Sequence, residues 1–339
     1  METRVKTPSS PSLPWRTRIY LSFISWATDA VSKPDGTVNR RFLRCLQPPI
    51  PSISIPIFGV KTYDVVINPT SQLWFRVFVP KQHVVEDLPL IMCFHGGGFV
   101  YLAPNVKIYD TWGRRIARKV PAIVVSVGYR RAPEHRYPVP HNDCFDVLKL
   151  LDVEENRSKW LPENVDISRC FLLGDSAGGN IAHYVAQRAC EFNFQRLQVI
   201  GLISIQPFFG GEELTDAERE HEGTPLVSLK QCEWYWKALM PPSEGNNRDH
   251  TIINVSGPNA MDISKYDFPV TMVVVSGFDP LRDWQNRYYE WLKKSKKEAY
   301  LVEYPNMCHS FYVFREVPES EQLLSDVKDF IHKVCSNTN

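Results

Sequence analysis

The sequence predicts an α/β protein built on a mostly parallel sheet of eight strands covered by helices. Eight short apolar runs, rich in β-branched residues, recur along the 339 residues. Segments with helical periodicity separate most of these runs, as crossover connections between parallel strands require. The composition is 43% hydrophobic and 23% charged, so a sizeable core can form and a disordered chain is excluded.

The eight apolar runs are interpreted as strands because turn residues bound each of them. They span residues 62–67, 73–79, 90–94, 122–127, 170–173, 199–205, 270–275 and 299–304. Only a short stretch containing Asn68 and Pro69 separates the first two runs, so these two predict an antiparallel hairpin. The later runs are far enough apart for a helix to connect each to the next.

Helical periodicity fills the longer connections between these runs. It covers residues 105–119, 141–151, 177–191, 228–239, 284–296 and 321–334. Several of these segments end in Lys or Arg, which suits the negative end of a helix dipole. The alternation of strand and helix therefore extends over most of the chain.

The first segment outside this alternation is residues 13–47, which we predict to be an N-terminal lid. A stripe at helical spacing runs through it, formed by Ile19, Phe23, Trp26 and Ala30. The stripe ends before the helix-breaking sequence KPDG. Residues 1–12, rich in Ser and Pro, predict a disordered tail.

The second such segment is about residues 207–265, which we predict to be a cap inserted into a single domain of residues 48–339. It is rich in Gly, Pro and Glu and contains neighbouring aromatic residues. The candidates for residues that roof a substrate pocket are Phe23 from the lid, and Trp234 and Tyr235 from the cap.

Charge and spacing exclude several classes of partner. Lys and Arg total 39 against 38 Asp and Glu, so no general basic field exists for nucleic acid or an anionic membrane. No apolar run reaches the roughly 18 residues of a membrane span. The sequence contains no dinucleotide or nucleotide loop motif and no metal-ligand spacing, so we expect no cofactor and no metal. The expected partner is a small molecule.

The compartment is inferred from the cysteines and the N-terminus. Eight cysteines show no spacing that would frame disulfides, so we expect free thiols in a reducing compartment. The first residues lack the basic-then-apolar pattern of a secretory signal. We therefore expect a cytoplasmic protein, with the nucleus as an alternative.

The sequence GDSAG at residues 174–178 has the pattern of a nucleophile elbow. It follows a short apolar strand and opens a helical segment, as this Gly-x-Ser-x-Gly turn requires. The turn is tight, so the glycines give strand and helix room to pass. Ser176 is the candidate nucleophile; the alternative is a bystander serine in a glycine-rich turn.

A second glycine-rich strand end, HGGGF at residues 95–99, predicts an oxyanion hole. The N–H groups of Gly97 and Gly98, with that of Ala177 after the nucleophile, could converge on a carbonyl oxygen that gains charge. A flexible turn is the alternative. We expect His95 to be a structural residue of this loop.

A serine nucleophile needs a base, and the base needs an acid that fixes its tautomer. Asp279 and His309 follow the last two predicted strands, in the order Ser, Asp, His. The carboxyl ends of parallel strands lie at one edge of a sheet, so the three side chains are expected there together. Asp283 is the rival acid, although it lies one turn into the next helix and is expected to pair locally.

Five sequence blocks resemble the plant carboxylesterases of the hormone-sensitive-lipase group, within the α/β-hydrolase superfamily. The blocks are HGGGF at 95–99, YRRAPEHRYPVP at 129–140, GDSAGGN at 174–180, GFDPLRDWQNRYYEWLKK at 277–294 and EYPNMCHSFY at 303–312. The resemblance covers nearly the whole chain and implies the α/β-hydrolase fold. It also implies specific roles: nucleophile Ser176, base His309, acid Asp279, and oxyanion donors Gly97, Gly98 and Ala177.

The N-terminal segment also resembles the lid of the gibberellin receptors, which use this scaffold to bind a hormone without hydrolysing it. The receptors typically carry HGGSF and lack the catalytic histidine, whereas this chain has Gly98 and His309. The 2-hydroxyisoflavanone dehydratases resemble the chain as well, and they eliminate water. The fold and the three catalytic candidates therefore do not fix the reaction.

These observations together predict a serine carboxylesterase that hydrolyses small apolar esters or lactones through an acyl-enzyme. The alternatives are a non-catalytic small-molecule receptor and a lyase or dehydratase on the same scaffold. Nothing in the sequence indicates a protein partner.

Overall fold

A computed structural model of the chain describes residues 10–70, 72–81, 87–243 and 247–337. A disordered tail was predicted over residues 1–12, and residues 1–9 of it lie outside the described residues. Its last part is held to the body, because the backbone N–H of Ser12 donates to the carbonyl of Asn306 at 2.9 Å.

One eight-stranded sheet forms the centre of the molecule. Its strands are β1 (Val60–Asn68), β2 (Leu73–Pro80), β3 (Leu88–Phe94), β4 (Ile123–Gly128), β5 (Val165–Asp175), β6 (Val199–Ile205), β7 (Val270–Phe278) and β8 (Ala299–Cys308). The order across the sheet is β1-β2-β4-β3-β5-β6-β7-β8. β2 is antiparallel to both β1 and β4, and all other pairs are parallel. The prediction of a mostly parallel eight-stranded sheet with a hairpin at its start is confirmed.

Helices connect the strands and cover both faces of the sheet. They are α1 (Trp15–Val31), α2 (Arg40–Leu46), α3 (Lys107–Lys119), α4 (Val139–Asp152), α5 (Glu154–Trp160), α6 (Ala177–Glu191), α7 (Asp216–Glu220), α8 (Leu229–Leu239), α9 (Arg282–Lys294) and α10 (Pro318–Asn337). Six of them match the predicted helices. The short helices α2, α5 and α7 were not predicted, because five to seven residues are too few to show a period of 3.6.

The hydrophobic core is divided by the sheet into two layers. All six residues of β4 are buried, as expected for an inner strand covered on both faces. This double burial explains why the inner strands show continuous apolar runs. None of the helices in the described ranges combines the length and the apolar character needed to cross a membrane.

Helix α1 presents its apolar stripe to solvent. Ile19, Phe23 and Trp26 are 61%, 50% and 59% exposed. The opposite face is buried and includes Leu21 and Thr28. The stripe that suggested a lid helix is therefore not the face by which the helix packs on the body.

A buried ion-pair network joins the antiparallel hairpin to α3. Arg76, fully buried on β2, donates to both carboxylate oxygens of Asp64 at 2.7 and 2.8 Å. It also donates to Asp110 on α3 at 2.9 Å, which in turn accepts from Arg114 at 2.8 Å. The network therefore fixes α3 to the β1–β2 edge of the sheet.

Replacing the central arginine should destabilise the fold. The variant Arg76→Met leaves Asp64 without its buried partner, so the free energy of unfolding should fall by about 3–5 kcal/mol, measured by urea denaturation. The control is Arg219→Met, which removes an ion pair with Asp216 whose side chains are 58% and 82% exposed. That control should change stability by less than about 1 kcal/mol. Equal effects of the two substitutions would contradict the structural role given to Arg76.

Candidate active site

Ser176 occupies the sharp turn between β5 and α6, and its backbone has a positive φ of 53°, which non-glycine residues rarely adopt. The turn brings strand and helix so close that side chains cannot fit. A Cβ on Gly174 would lie 2.0 Å from the carbonyl oxygen of Gly178, and a Cβ on Gly178 would lie 1.9 Å from that of Phe94. Both glycines of the GDSAG sequence are therefore sterically required, and the turn is set against the end of β3.

Three side chains from three strand ends form a hydrogen-bonded chain. The Oγ of Ser176 lies 3.0 Å from Nε2 of His309. The Nδ1 of the same imidazole lies 2.8 Å from Oδ2 of Asp279. Because an ionised carboxylate can only accept, Nδ1 carries the proton and Nε2 presents its lone pair to the serine hydroxyl. Such a chain can take a proton from the hydroxyl.

Asp279 is fully buried and held by two further donors. The N–H of Leu281 donates to Oδ1 at 3.0 Å, and Nε2 of Gln285 donates to Oδ2 at 2.9 Å. These bonds satisfy the buried carboxylate and fix its orientation towards His309. Gln285 was missed by the sequence analysis because nothing distinguishes it from other polar helix residues.

The rival acid Asp283 is placed elsewhere. Its Oδ2 accepts from the N–H of Ala217 at 2.8 Å, and its Oδ1 accepts from Arg282 at 3.3 Å. Both bonds are local to the junction of α7 and α9.

The glycine-rich loop after β3 presents backbone N–H groups beside Ser176. Gly97 and Gly98 have φ of 104° and 60°, which only glycine adopts readily. Within the described ranges, neither of their N–H groups donates to a protein acceptor. The N–H of Ala177, at the first position of α6, also lacks an intrahelical acceptor. The three donors at this edge suit a developing negative charge.

His95 is embedded behind this loop. Its Nδ1–H donates to the carbonyl of Gly96 at 2.8 Å, and its ring stacks on Tyr129 with centroids 4.2 Å apart. Burial lowers the pKa of His95 to about 3, so the ring is neutral at physiological pH. The structure places it as a support of the loop.

A buried carboxylate beside the nucleophile, Asp175, was not predicted as a site residue. Its Oδ2 accepts hydrogen bonds from the hydroxyls of Tyr109 at 2.5 Å and Tyr312 at 2.6 Å. The hydroxyl of Tyr109 accepts from the N–H of Gly96 at 2.7 Å. Asp175 thus ties the nucleophile turn, the glycine-rich loop and the loop after His309 to one another. Burial raises its pKa to about 6, although the bonds from Tyr109 and Tyr312 oppose this.

A small cavity of about 90 Å³ lies over Ser176 and His309. Its wall is mainly apolar and includes Ile24, Thr28, Tyr101, Leu102, Ile108, Phe208, Leu226, Val227, Tyr235, Val313 and Phe314. Of the three residues predicted to roof a pocket, Tyr235 lines this cavity. Phe23 does not, because it lies on the solvent side of α1, and its neighbour Ile24 takes the place expected for it.

Trp234 also lies outside the cavity wall. Its Nε1–H donates to the carbonyl of Lys33 at 2.9 Å, and its ring stacks on that of Tyr101 with ring centroids 6.3 Å apart. Its contact therefore fastens the N-terminal segment to α8. Nearby, Nε2 of Gln231 donates to Asp29 of α1 at 2.9 Å, so polar bonds hold α1 across the cavity.

In the part of the chain that the structure describes, no group of three or more His, Cys, Asp or Glu side chains could hold a metal ion.

Comparisons with known proteins agree with this architecture. A family model described as an alpha/beta hydrolase fold matches residues 91–313. The gibberellin receptor GID1C of Arabidopsis thaliana is 36% identical over 341 residues, covering 96% of each chain. Carboxylesterase 20 of the same plant is 30% identical over 319 residues, covering 90% of this chain and 95% of its own.

A solved structure gives the same result for the fold. An esterase from the archaeon Pyrobaculum calidifontis superposes with a TM-score of 0.74 at 23% identity, covering 95% of this chain and 99% of its own. At this identity the likeness concerns the fold.

The raised pKa of Asp175 predicts a pH dependence of stability. The folded protein keeps a proton on this carboxyl up to about pH 6, whereas the unfolded chain loses it near pH 4. The stability that this proton contributes is complete below about pH 4 and is lost as the pH rises through about 6. The variant Asp175→Asn lacks this loss. Between pH 4 and pH 7 its free energy of unfolding should gain about 2–3 kcal/mol relative to the wild type.

Urea denaturation of both proteins at four pH values in this range measures the difference. A difference that stays constant with pH would contradict the buried, proton-binding state of Asp175.

Proposed function

Because the chain belongs to the α/β-hydrolase family, among the plant carboxylesterases and gibberellin receptors, we propose that it is a serine carboxylesterase for small apolar esters. The observation that carries the proposal is the hydrogen-bonded chain from Ser176 through His309 to Asp279. It faces free backbone N–H groups in a mainly apolar cavity. This arrangement supplies a nucleophile, a base and a site for an oxyanion at one point.

In the acylation step, Nε2 of His309 accepts the proton of the Ser176 hydroxyl while Oγ bonds to the ester carbonyl carbon. The carbonyl electrons move to oxygen, and the N–H groups of Gly97, Gly98 and Ala177 stabilise the oxyanion. When the intermediate collapses, the C–O bond to the alcohol breaks and His309 returns the proton to the leaving oxygen. The acyl group remains bound to Ser176 as an ester.

In the deacylation step, water replaces the alcohol. His309 takes a proton from the water as its oxygen attacks the acyl carbon, and then returns a proton to Oγ of Ser176. Asp279 holds the imidazole in one tautomer and stabilises its positive charge in both steps. The carboxylic acid leaves and the hydroxyl is restored.

The cavity favours a short, uncharged acyl group. Its volume of about 90 Å³ is well below the roughly 300 Å³ of sites for drug-sized ligands. No Lys or Arg is among the described residues that line it, so an anionic substrate group would lack a counterion from either residue type there. Small apolar esters or lactones fit both properties.

A small-molecule receptor is the second candidate, supported by the 36% identity to a gibberellin receptor over 96% of the chain. Two features of the site favour the esterase. His309 is present and bonded to Ser176. In addition, a Cβ on Gly98 would lie 2.7 Å from the ring of Tyr235, so the serine typical of receptors at this position has no space here. A lyase would use the same residues but release an unsaturated product, which product analysis distinguishes.

The proposed compartment is the cytoplasm, with the nucleus as an alternative. All eight cysteines are free thiols, which supports a reducing environment.

Removing the nucleophile tests the proposal. Purified protein should hydrolyse p-nitrophenyl butyrate, and Ser176→Ala should lower kcat by about four to six orders of magnitude. The control variant is Ser158→Ala, since this exposed hydroxyl donates to the carbonyls of Glu154 and Glu155 on its own helix; it should keep full activity. Retention of most activity in Ser176→Ala would overturn the mechanism. Binding without turnover in the wild type would favour the receptor.

Obstructing the glycine-rich loop tests the role of its N–H donors. Gly98 has a φ of 60°, and in Gly98→Ala the new methyl group would meet the ring of Tyr235, so the loop must shift. We expect kcat for p-nitrophenyl butyrate to fall by about 10²–10³, the cost of losing one oxyanion donor. Gly36→Ala is the matched control, because Gly36 has a φ of 87° and open space around it. Equal kcat values for these two variants would contradict the assignment of Gly98.

A further inference from the structure

Strand β6 lies between β5 and β7 in the sheet and contributes no residue to the chain of Ser176, His309 and Asp279. Its carboxyl end nevertheless contacts the loops that carry the nucleophile and the base. We propose that Gln206, the first residue after β6, is a positioning residue that holds His309 in register with Ser176. This inference rests on the proposed esterase function and adds a residue to its machinery.

The side-chain amide of Gln206 binds the backbone on both sides of the base. Its Nε2 donates to the carbonyl of Cys308 at 3.1 Å, and its Oε1 accepts from the N–H of Ser310 at 2.8 Å. The same Nε2 donates to the hydroxyl of Ser276 at 2.7 Å, three residues before Asp279. One amide thus clamps the residues that precede and follow His309.

Residues 205–208, at the carboxyl end of β6, also hold the backbone of the nucleophile. The N–H of Ser176 donates to the carbonyl of Ile205 at 2.9 Å, and the N–H of Phe208 donates to the carbonyl of Ser176 at 2.9 Å. The backbone of the nucleophile and the backbones of the two residues that flank the base are therefore bonded to residues 205–208. The Gln206 side chain is the link from this turn to the base, so its length contributes to the 3.0 Å separation of Oγ and Nε2.

The local backbone supports a positioning role. Gln206 and Ser310 have φ of 45° and 64°, which non-glycine residues rarely adopt. Such conformations persist where the surroundings impose them, and they concentrate at functional sites. Gln206 is also fully buried, and the N–H of its own backbone donates to the carbonyl of Val274 at 2.9 Å. The clamp is therefore anchored at its base and rigid.

The position requires both halves of a glutamine amide. Methionine has the right length but no hydrogen-bonding group, and glutamate keeps the acceptor for Ser310 but has no donor for Cys308 when ionised. Asparagine has the right groups on a side chain that is one methylene shorter. Each substitution removes the clamp in a different way.

The experiment compares steady-state hydrolysis of p-nitrophenyl butyrate by the wild type, Gln206→Met and Gln206→Glu. Because displacement of a reacting group by about 1 Å can cost 10²-fold in rate, kcat should fall by about 10–100-fold in both variants. KM should change by less than about twofold, since Gln206 does not line the cavity. A kcat within about twofold of the wild-type value in both variants would overturn the proposal.

A matched control separates positioning from general stability. Thr271, fully buried at the other end of β7, donates to the carbonyl of Pro269 at 2.9 Å, so Thr271→Val removes a buried hydrogen bond far from the site. Thermal denaturation should show a lower Tm for all three variants, whereas only the Gln206 variants should lose kcat. A loss of kcat that follows Tm equally in Thr271→Val would overturn the positioning role.

A spectroscopic readout keeps this inference distinct from the proposed function. The proton between Nδ1 of His309 and Oδ2 of Asp279 should give a low-field NMR resonance whose chemical shift reports the geometry of that hydrogen bond. The resonance should shift or broaden in Gln206→Glu and stay unchanged in Thr271→Val. If the wild type hydrolyses no ester, the proposed function fails and this resonance alone decides: a shift supports the clamp, and an unchanged resonance overturns it. If Gln206→Met does not fold, the isosteric Gln206→Glu decides in the same way.

Discussion

The close approach of backbones at the nucleophile turn is the constraint on which the rest of the site depends. Ser176 is held at a φ of 53°, and glycines on either side let β5, α6 and the end of β3 come together without side chains. Because the glycine-rich loop starts at that end of β3, the oxyanion donors and the nucleophile are placed by the same contact. Their relative position is therefore a property of the sheet rather than of flexible side chains.

Buried polar groups position the base and the acid relative to the nucleophile turn. Gln285 orients Asp279, while Asp175 joins the loops before and after the site through Tyr109 and Tyr312. Tyr109 and Tyr312 reach Asp175 from positions 66 and 137 residues away, so these bonds specify one arrangement of the loops. The cost of burying them is visible in the raised pKa of Asp175.

Much of this architecture could be predicted from local sequence, and the exceptions have physical causes. Parallel strands are buried on both faces, so they appear as apolar runs, and catalytic candidates follow strand ends in a fixed order. The network of Asp175 with Tyr109 and Tyr312 joins residues 66 and 137 positions apart, for which no local pattern exists. Phe23 was misplaced because a helical stripe shows that one face is apolar but not which surface it meets. Burial of the opposite face, through residues such as Leu21, decided the orientation.

Covalent labelling tests most directly whether this geometry activates one serine. Diethyl p-nitrophenyl phosphate transfers its diethylphosphoryl group to a nucleophilic serine and releases p-nitrophenolate, and peptide mass spectrometry locates the adduct. We expect one stoichiometric adduct, on Ser176 in the peptide containing GDSAG, formed with the release of one equivalent of p-nitrophenolate. An adduct on another residue, or no adduct in folded protein, would contradict this expectation.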